Sequence, residues 1–184
     1  MNDRIRYLRE QLYRLNIEGM IISNPTNVKY LTNIDCESGV LLITRKENIY
    51  ITYEMYIDEV NNVLTINDEI AVMDYKDITP DEFENFFLFC ENVGFEEGFV
   101  SYKDYGRIKQ RYKMHNLVET ERIIEKQRMI KTEEEIENIK EACNITDECF
   151  SHLLTYIEKG MTEKEIALEI ERYFKLNGGE RSSL

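Results

Sequence analysis

The chain has 184 residues, of which 36 are Asp or Glu and 23 are Lys or Arg, for a formal net charge of −13 at pH 7. The acid excess extends over the first two thirds and the last third alike, which argues against nucleic acid or an anionic membrane as partner. No apolar run approaches membrane-spanning length, and charged residues follow Met1 where a signal peptide would carry its apolar core, so a soluble cytoplasmic protein is expected.

Arg4 to Leu15 places Ile5, Leu8, Leu12 and Leu15 at helical spacing. Met20-Ile21-Ile22, after Gly19, is a short apolar strand. In Asn24-Pro25-Thr26-Asn27 the proline fixes φ and both asparagines tolerate turn geometry, so the pattern predicts a sharp reversal of the chain. Val40 to Thr44 and Ile49 to Thr52 flank Arg45-Lys46-Glu47-Asn48 as the arms of a hairpin would. Thr79-Pro80-Asp81-Glu82 combines a capping box with proline at the first helical position, and Phe83, Phe86, Phe87 and Cys90 supply that helix with its buried face.

A strand is expected to start at Val93-Gly94-Phe95-Glu96. A helix then runs from Ser101 to Tyr112 with Tyr105, Ile108 and Tyr112 inward, and His115 to Val118 forms a last short strand. The basic run Lys103, Arg107, Lys109, Arg111 and Lys113 has tyrosines between its charges, as a nucleic-acid patch can, but it reads better as a solvated helix face. Glu121 to Gln127 is a connector. Strands and helices alternate up to this point, which predicts an α/β domain.

Thr132 and Glu135 form a second capping box, and a stripe follows at Ile136, Ile139, Cys143, Thr146, Phe150, Leu153 or Leu154, and Ile157. Those steps of three and four predict a buried face against a Glu-rich outer one, with Gly160 ending the helix. Thr162 and Glu165 repeat the signal ahead of Ile166, Ala167, Ile170, Tyr173 and Phe174, and Gly178-Gly179 closes the second helix. Two such helices bury only part of their stripes on each other and need a further layer. Cys36, Cys90, Cys143 and Cys149 show no C-x-x-C spacing and read as reduced core residues. His115 and His152, the latter placed on the outer side of its helix, have no partner at metal-ligand spacing.

Two sets of these residues carry a resemblance. Arg128-Met129-Ile130-Lys131 with Glu135-Ile136, then Gly160-Met161-Thr162-Glu163-Lys164-Glu165 and Asn177-Gly178, resemble the opening of the catalytic domain in the creatinase, prolidase and aminopeptidase P family of metallopeptidases. Asn24-Pro25-Thr26-Asn27-Val28-Lys29-Tyr30-Leu31-Thr32 is similar to a segment of the smaller domain that precedes it. The resemblance implies an α/β fold in two parts. Residues 1–124 would be a creatinase/prolidase N-terminal domain, a mixed sheet flanked by helices, and residues 125–184 the first two helices of a pita-bread catalytic domain. Thr52-Tyr53-Glu54-Met55-Tyr56 departs from the family's Thr-Asp-x-Arg-Tyr and lacks its Asp and Arg.

In that family two divalent metals of the Mn or Co type, held by two Asp, one His and two Glu, generate the hydroxide that hydrolyses proline-containing peptides. Those ligands follow the helix pair. The resemblance therefore implies a Xaa-Pro aminopeptidase or dipeptidase-like protein truncated before its metal ligands, with no catalytic residue, metal site or cofactor in this chain, and inactive alone. It further implies a homodimer formed through the N-terminal domain, in which Asp35, Glu37, Tyr53 and Tyr56 are candidate contacts with a partner subunit's cleft. Two alternatives stay open: a non-catalytic interaction or dimerisation module, and a flavodoxin-like ligand-binding domain, which the α/β alternation suits although no phosphate-cradling loop is present.

Overall fold

The structure is a computed structural model that describes residues 3–36, 38–64, 69–111 and 116–179. Glu37, Tyr112, Lys113 and His115 lie outside the described residues, and so do the expectations that rest on them. The chain divides into two compact units, Met1–Met129 and Ile130–Leu184.

The first unit holds helices α1 (Asp3–Arg14), α2 (Pro25–Thr32), α3 (Glu54–Val63), α4 (Pro80–Phe86), α5 (Tyr102–Arg111) and α6 (Ile123–Met129). Its strands are β1 (Gly19–Ile22), β2 (Gly39–Thr44), β3 (Asn48–Thr52), β4 (Ile70–Asp74), β5 (Val93–Phe95) and β6 (Leu117–Glu119). They form one six-stranded sheet in the order β4-β3-β2-β1-β5-β6. The hairpin makes β2 antiparallel to both β1 and β3, while β3 with β4, β1 with β5 and β5 with β6 run parallel, so the sheet is mixed.

All four residues of β1 are buried, because helices cover both faces of the centre of the sheet. Side-chain alternation sends Met20 and Ile22 to one core with Ile5, Leu8 and Leu12 of α1 and Leu31 of α2. Ile21 points the other way, into a second core with Leu42, Ile51, Phe83 and Phe87. Each fully enclosed Leu or Ile contributes roughly 1.5–3 kcal/mol relative to an exposed one. Gly39 has no room for a side chain, since a Cβ there would overlap the Tyr50 hydroxyl.

Three expectations for this unit are corrected. Asn24-Pro25 is not a plain turn but the start of a helix. Asn24 is the N-cap of α2, its side chain accepting the Thr26 amide at 3.0 Å, with Pro25 at the first helical position where its missing N–H costs nothing. The helix stops at Asn33, whose φ of 62° is left-handed. Glu121 to Gln127 is not a plain connector either, for after Glu121 and Arg122, both at positive φ, the chain enters α6. Leu15 falls past the end of α1 and is exposed.

The second unit is α7 (Glu133–Tyr156) and α8 (Glu163–Leu176). Both start at the capping boxes the sequence predicts. The Thr132 amide donates to Glu135 at 2.9 Å and the Thr162 amide to Glu165 at 2.8 Å, each with the reciprocal bond to the threonine hydroxyl. The stripe of α7, however, is not buried: Ile136, Ile139, Phe150, Leu154 and Ile157 are exposed, and so is Cys143. Cys149 is the one buried residue of α7 and Glu169 that of α8. A pair of helices can enclose only the narrow seam between them.

Candidate functional site

At one end of the sheet, the loop between α2 and β2 meets the junction of β3 and α3. Thr52, the last residue of β3, donates its hydroxyl to the Ser38 carbonyl at 2.5 Å and stands 4.0 Å from the Cys36 sulfur. Tyr53 then caps α3 by backbone alone, which leaves its ring free to pack on Tyr75 with centroids 4.9 Å apart. Beside it Lys76 donates to Glu54 at 2.7 Å and lies 3.4 Å from Asp74, and these carboxylates, Glu54 first, hold the ammonium above its ordinary range. Beneath, burial first and then the neighbouring Cys36 push the Tyr50 phenol well up.

The residues singled out from sequence fall around this end. Asp35 is exposed and paired with Lys29 at 2.6 Å. Tyr53 is exposed, Tyr56 is half-buried one turn into α3, and Glu37 lies outside the described residues. The structure thus joins the loop that carries Asp35 to the strand end that carries Tyr53. It adds Tyr75, Lys76 and Asp74 from β4 and the turn after it, where the sequence offers only a weak strand pattern.

A second polar cluster lies inside the same unit. Glu96, 5% exposed, accepts the amides of Ser23 and Asn24 at 2.7 Å each and the side-chain amide of Asn27 at 2.7 Å. Asn27 also bonds Glu125 and Arg128 of α6. Burial raises the Glu96 carboxyl above its usual value, against those three donors and with a further upward push from Glu125. A cavity of about 270 Å³ lies alongside, lined in part by Glu96, Glu97, Thr120 and Arg122.

In the second unit His152 is not on the outer side of its helix. It faces α8, with Nε2 2.8 Å from Glu169 and its ring stacked on Tyr173 at 5.0 Å. The error has a simple origin, because the stripe that set the inward face of α7 is the face left open. Arg172 grips Glu169 with two bonds of 2.8 and 2.7 Å, and Arg172 first, then His152, hold that carboxyl down at about 2. An open groove of about 700 Å³ runs along the same helix pair, lined by Ile145, Cys149, Phe150, Leu153, Ile170 and Phe174 among others.

Among the described residues no group of three or more His, Cys, Asp or Glu is placed to hold a metal ion. At the sheet end the first unit gathers aromatic and charged side chains, Tyr53 with Tyr75 and Lys76 with Glu54 and Asp74.

Comparison with known proteins gives this arrangement a context. The sequence matches the Creatinase/Prolidase N-terminal domain over residues 4–130 and Metallopeptidase family M24 over residues 137–184. It is similar to the uncharacterized peptidase YqhT of Bacillus subtilis (strain 168), with 31% identity over 189 residues that cover 98% of this chain and 51% of that protein. Among solved structures it is similar to a Xaa-Pro dipeptidase from Bacillus anthracis, with a TM-score of 0.87, 28% identity, and coverage of 99% of this chain and 51% of the other. An X-Pro aminopeptidase from Thermotoga maritima MSB8 shares the fold at a TM-score of 0.82 and 23% identity, over 98% of this chain and 51% of that one. The chain spans about half the length of these relatives.

Proposed function

The chain belongs to the creatinase/prolidase family, and from that premise we propose that it is the N-terminal portion of a metallopeptidase acting on Xaa-Pro peptides, inactive by itself, whose first unit serves dimerisation and cleft formation. In such a peptidase divalent metals would supply the hydroxide for hydrolysis. The residues present do not fit that group, since no convergent set of ligands is formed among those described. The observation that carries the reading is the open stripe of α7. Helices that match the start of the M24 domain display Ile136, Ile139, Phe150 and Ile157 to solvent, as helices do when the layer they pack against is elsewhere.

Residues 1 to about 124 are assigned to the N-terminal domain, and the helices after it to the opening of the catalytic domain. Asp35, Glu37, Tyr53 and Tyr56 are assigned to contacts with a partner subunit's cleft. The site of action is assigned to the cytoplasm. No helix among the described residues is long and apolar enough to cross a membrane, and the four cysteines are free. The test is direct. Purified 1–184 with Mn²⁺ or Co²⁺ is expected to bind no stoichiometric metal and to cleave no Xaa-Pro dipeptide, and metal-dependent turnover by this chain would overturn the assignment.

The open groove also favours a second reading, a non-catalytic interaction module. Sedimentation separates the two. Self-association lost on Tyr53→Ala supports the cleft-forming dimer, whereas association lost only on Phe150→Glu supports docking through α7 and α8.

A further inference from the structure

Four side chains that the proposed function does not use meet inside the first unit. Asn27 is fully buried in the first turn of α2, Glu96 directly follows β5, and Glu125 and Arg128 stand three residues apart on α6. The Asn27 amide nitrogen donates to Glu96 Oε1 at 2.7 Å and to Glu125 Oε1 at 2.8 Å, and Arg128 donates to the Asn27 carbonyl oxygen at 2.9 Å. That nitrogen carries two hydrogens, one for each carboxylate. Without it, two acids converging on a buried point would repel each other. The other Glu96 oxygen is committed to the amides of Ser23 and Asn24, where the start of α2 favours negative charge.

Helix α6 has seven residues, too few to hold its form alone. Its place must come from what it touches. Ile123 and Ile124 anchor the first turn in the core. After them come the bonds of Glu125 and Arg128 to Asn27, and one from the Gln127 side chain to the Arg4 carbonyl at 3.0 Å. Met129, the last residue of α6, is also the last of the unit. We propose that Asn27 is the keystone of a latch that holds the linker helix α6 on the first unit, turning the mutual repulsion of Glu96 and Glu125 into a pair of hydrogen bonds. Asn27, Glu125 and Arg128 are positioning residues in this sense.

Hydrogen exchange on the whole chain, read by mass spectrometry, tests the latch. Asn27→Asp keeps the size of the side chain but puts an acceptor where two carboxylates need donors. Exchange over residues 123–129 is expected to rise about tenfold while β1 and β2 stay protected, the scale of losing a charge-assisted hydrogen bond. Adding Glu125→Gln to Asn27→Asp returns an amide donor on the α6 side, leaves Glu96 facing the new carboxylate, and is expected to restore part of the protection of α6, which a merely space-filling role for Asn27 would not allow. Unchanged exchange in α6, a loss spread evenly over the unit, or a failure of the second substitution to restore protection would overturn the proposal. Should Asn27→Asp not fold, Arg128→Met removes the donor to the Asn27 side-chain carbonyl. It is expected to raise exchange at the end of α6 severalfold, and no rise there would equally overturn the latch.

Discussion

In the first unit Leu8, Met20, Leu41 and Ile43 are fully enclosed, whereas in the second Ile136, Ile139, Phe150 and Ile157 are between 42% and 63% exposed. Both sets are apolar side chains that the sequence marks for burial. The difference is one of supply: α1 and α2 pack against the sheet of their own unit, while the second unit has two helices and no sheet among its described residues. Periodicity records which face seeks cover and is silent on whether cover is present. The centre of each unit differs accordingly. The first is built on two apolar cores, and the buried middle of the second is Cys149 beside the Glu169 carboxylate clamped by Arg172 and His152.

The comparison can be broken most sharply by truncating one side chain of each kind. Leu41→Ala is expected to cost roughly 2–5 kcal/mol through lost burial and a cavity, read as a fall in the denaturation midpoint. Phe150→Ala, on the open stripe, is expected to stay within about 0.5 kcal/mol. A comparable loss at both positions would mean that the stripe of α7 is covered in solution. Next in size is the cap of α7, where Thr132→Ala is expected to cost about 1 kcal/mol of helix stability by circular dichroism.

Two buried carboxylates sharpen the comparison through pH, with opposite signs. Glu169, held at about 2 by Arg172 and His152, lies below its ordinary 4.5. The stability it contributes is fully present above 4.5 and is lost as pH falls towards 2, so Glu169→Gln should flatten the acid limb of the helical signal. Glu96 is raised by burial, so the fold binds its proton more tightly than the unfolded chain does. That contribution is present at and below 4.5 and is lost as pH rises through the folded value, and Glu96→Gln should remove this smaller loss from a stability-against-pH curve. The same sign of slope for both residues would contradict the two environments described.

The candidate site was half legible in the sequence. Asp35 and Tyr53 were named only by carrying over the family's inter-subunit contacts, and the bond of Thr52 to Ser38 brings their segments together. Tyr75, Lys76 and Asp74 could not, since their part in the site depends on β4 pairing with β3. Nothing local marks Glu96, whose partner Asn27 lies 69 residues away, and the motif that contains Arg128 does not reveal its bond to that same asparagine, 101 residues off. His152 was misplaced for the reason that opened the comparison, because its inward face was inferred from a stripe that has no cover.

By itself the sequence determined the events that close within one helical turn or one strand. The capping boxes at Thr79, Thr132 and Thr162 are each completed three residues on, and the hairpin of β2 and β3 needs only a short connection. Tertiary structure alone decided that α6 is a helix held at Asn27 and that the stripe of α7 stays open. The physical reason is distance along the chain. A cap is satisfied by its own neighbours, whereas a buried asparagine, an acid pair or an apolar face takes its meaning from groups that only folding brings near.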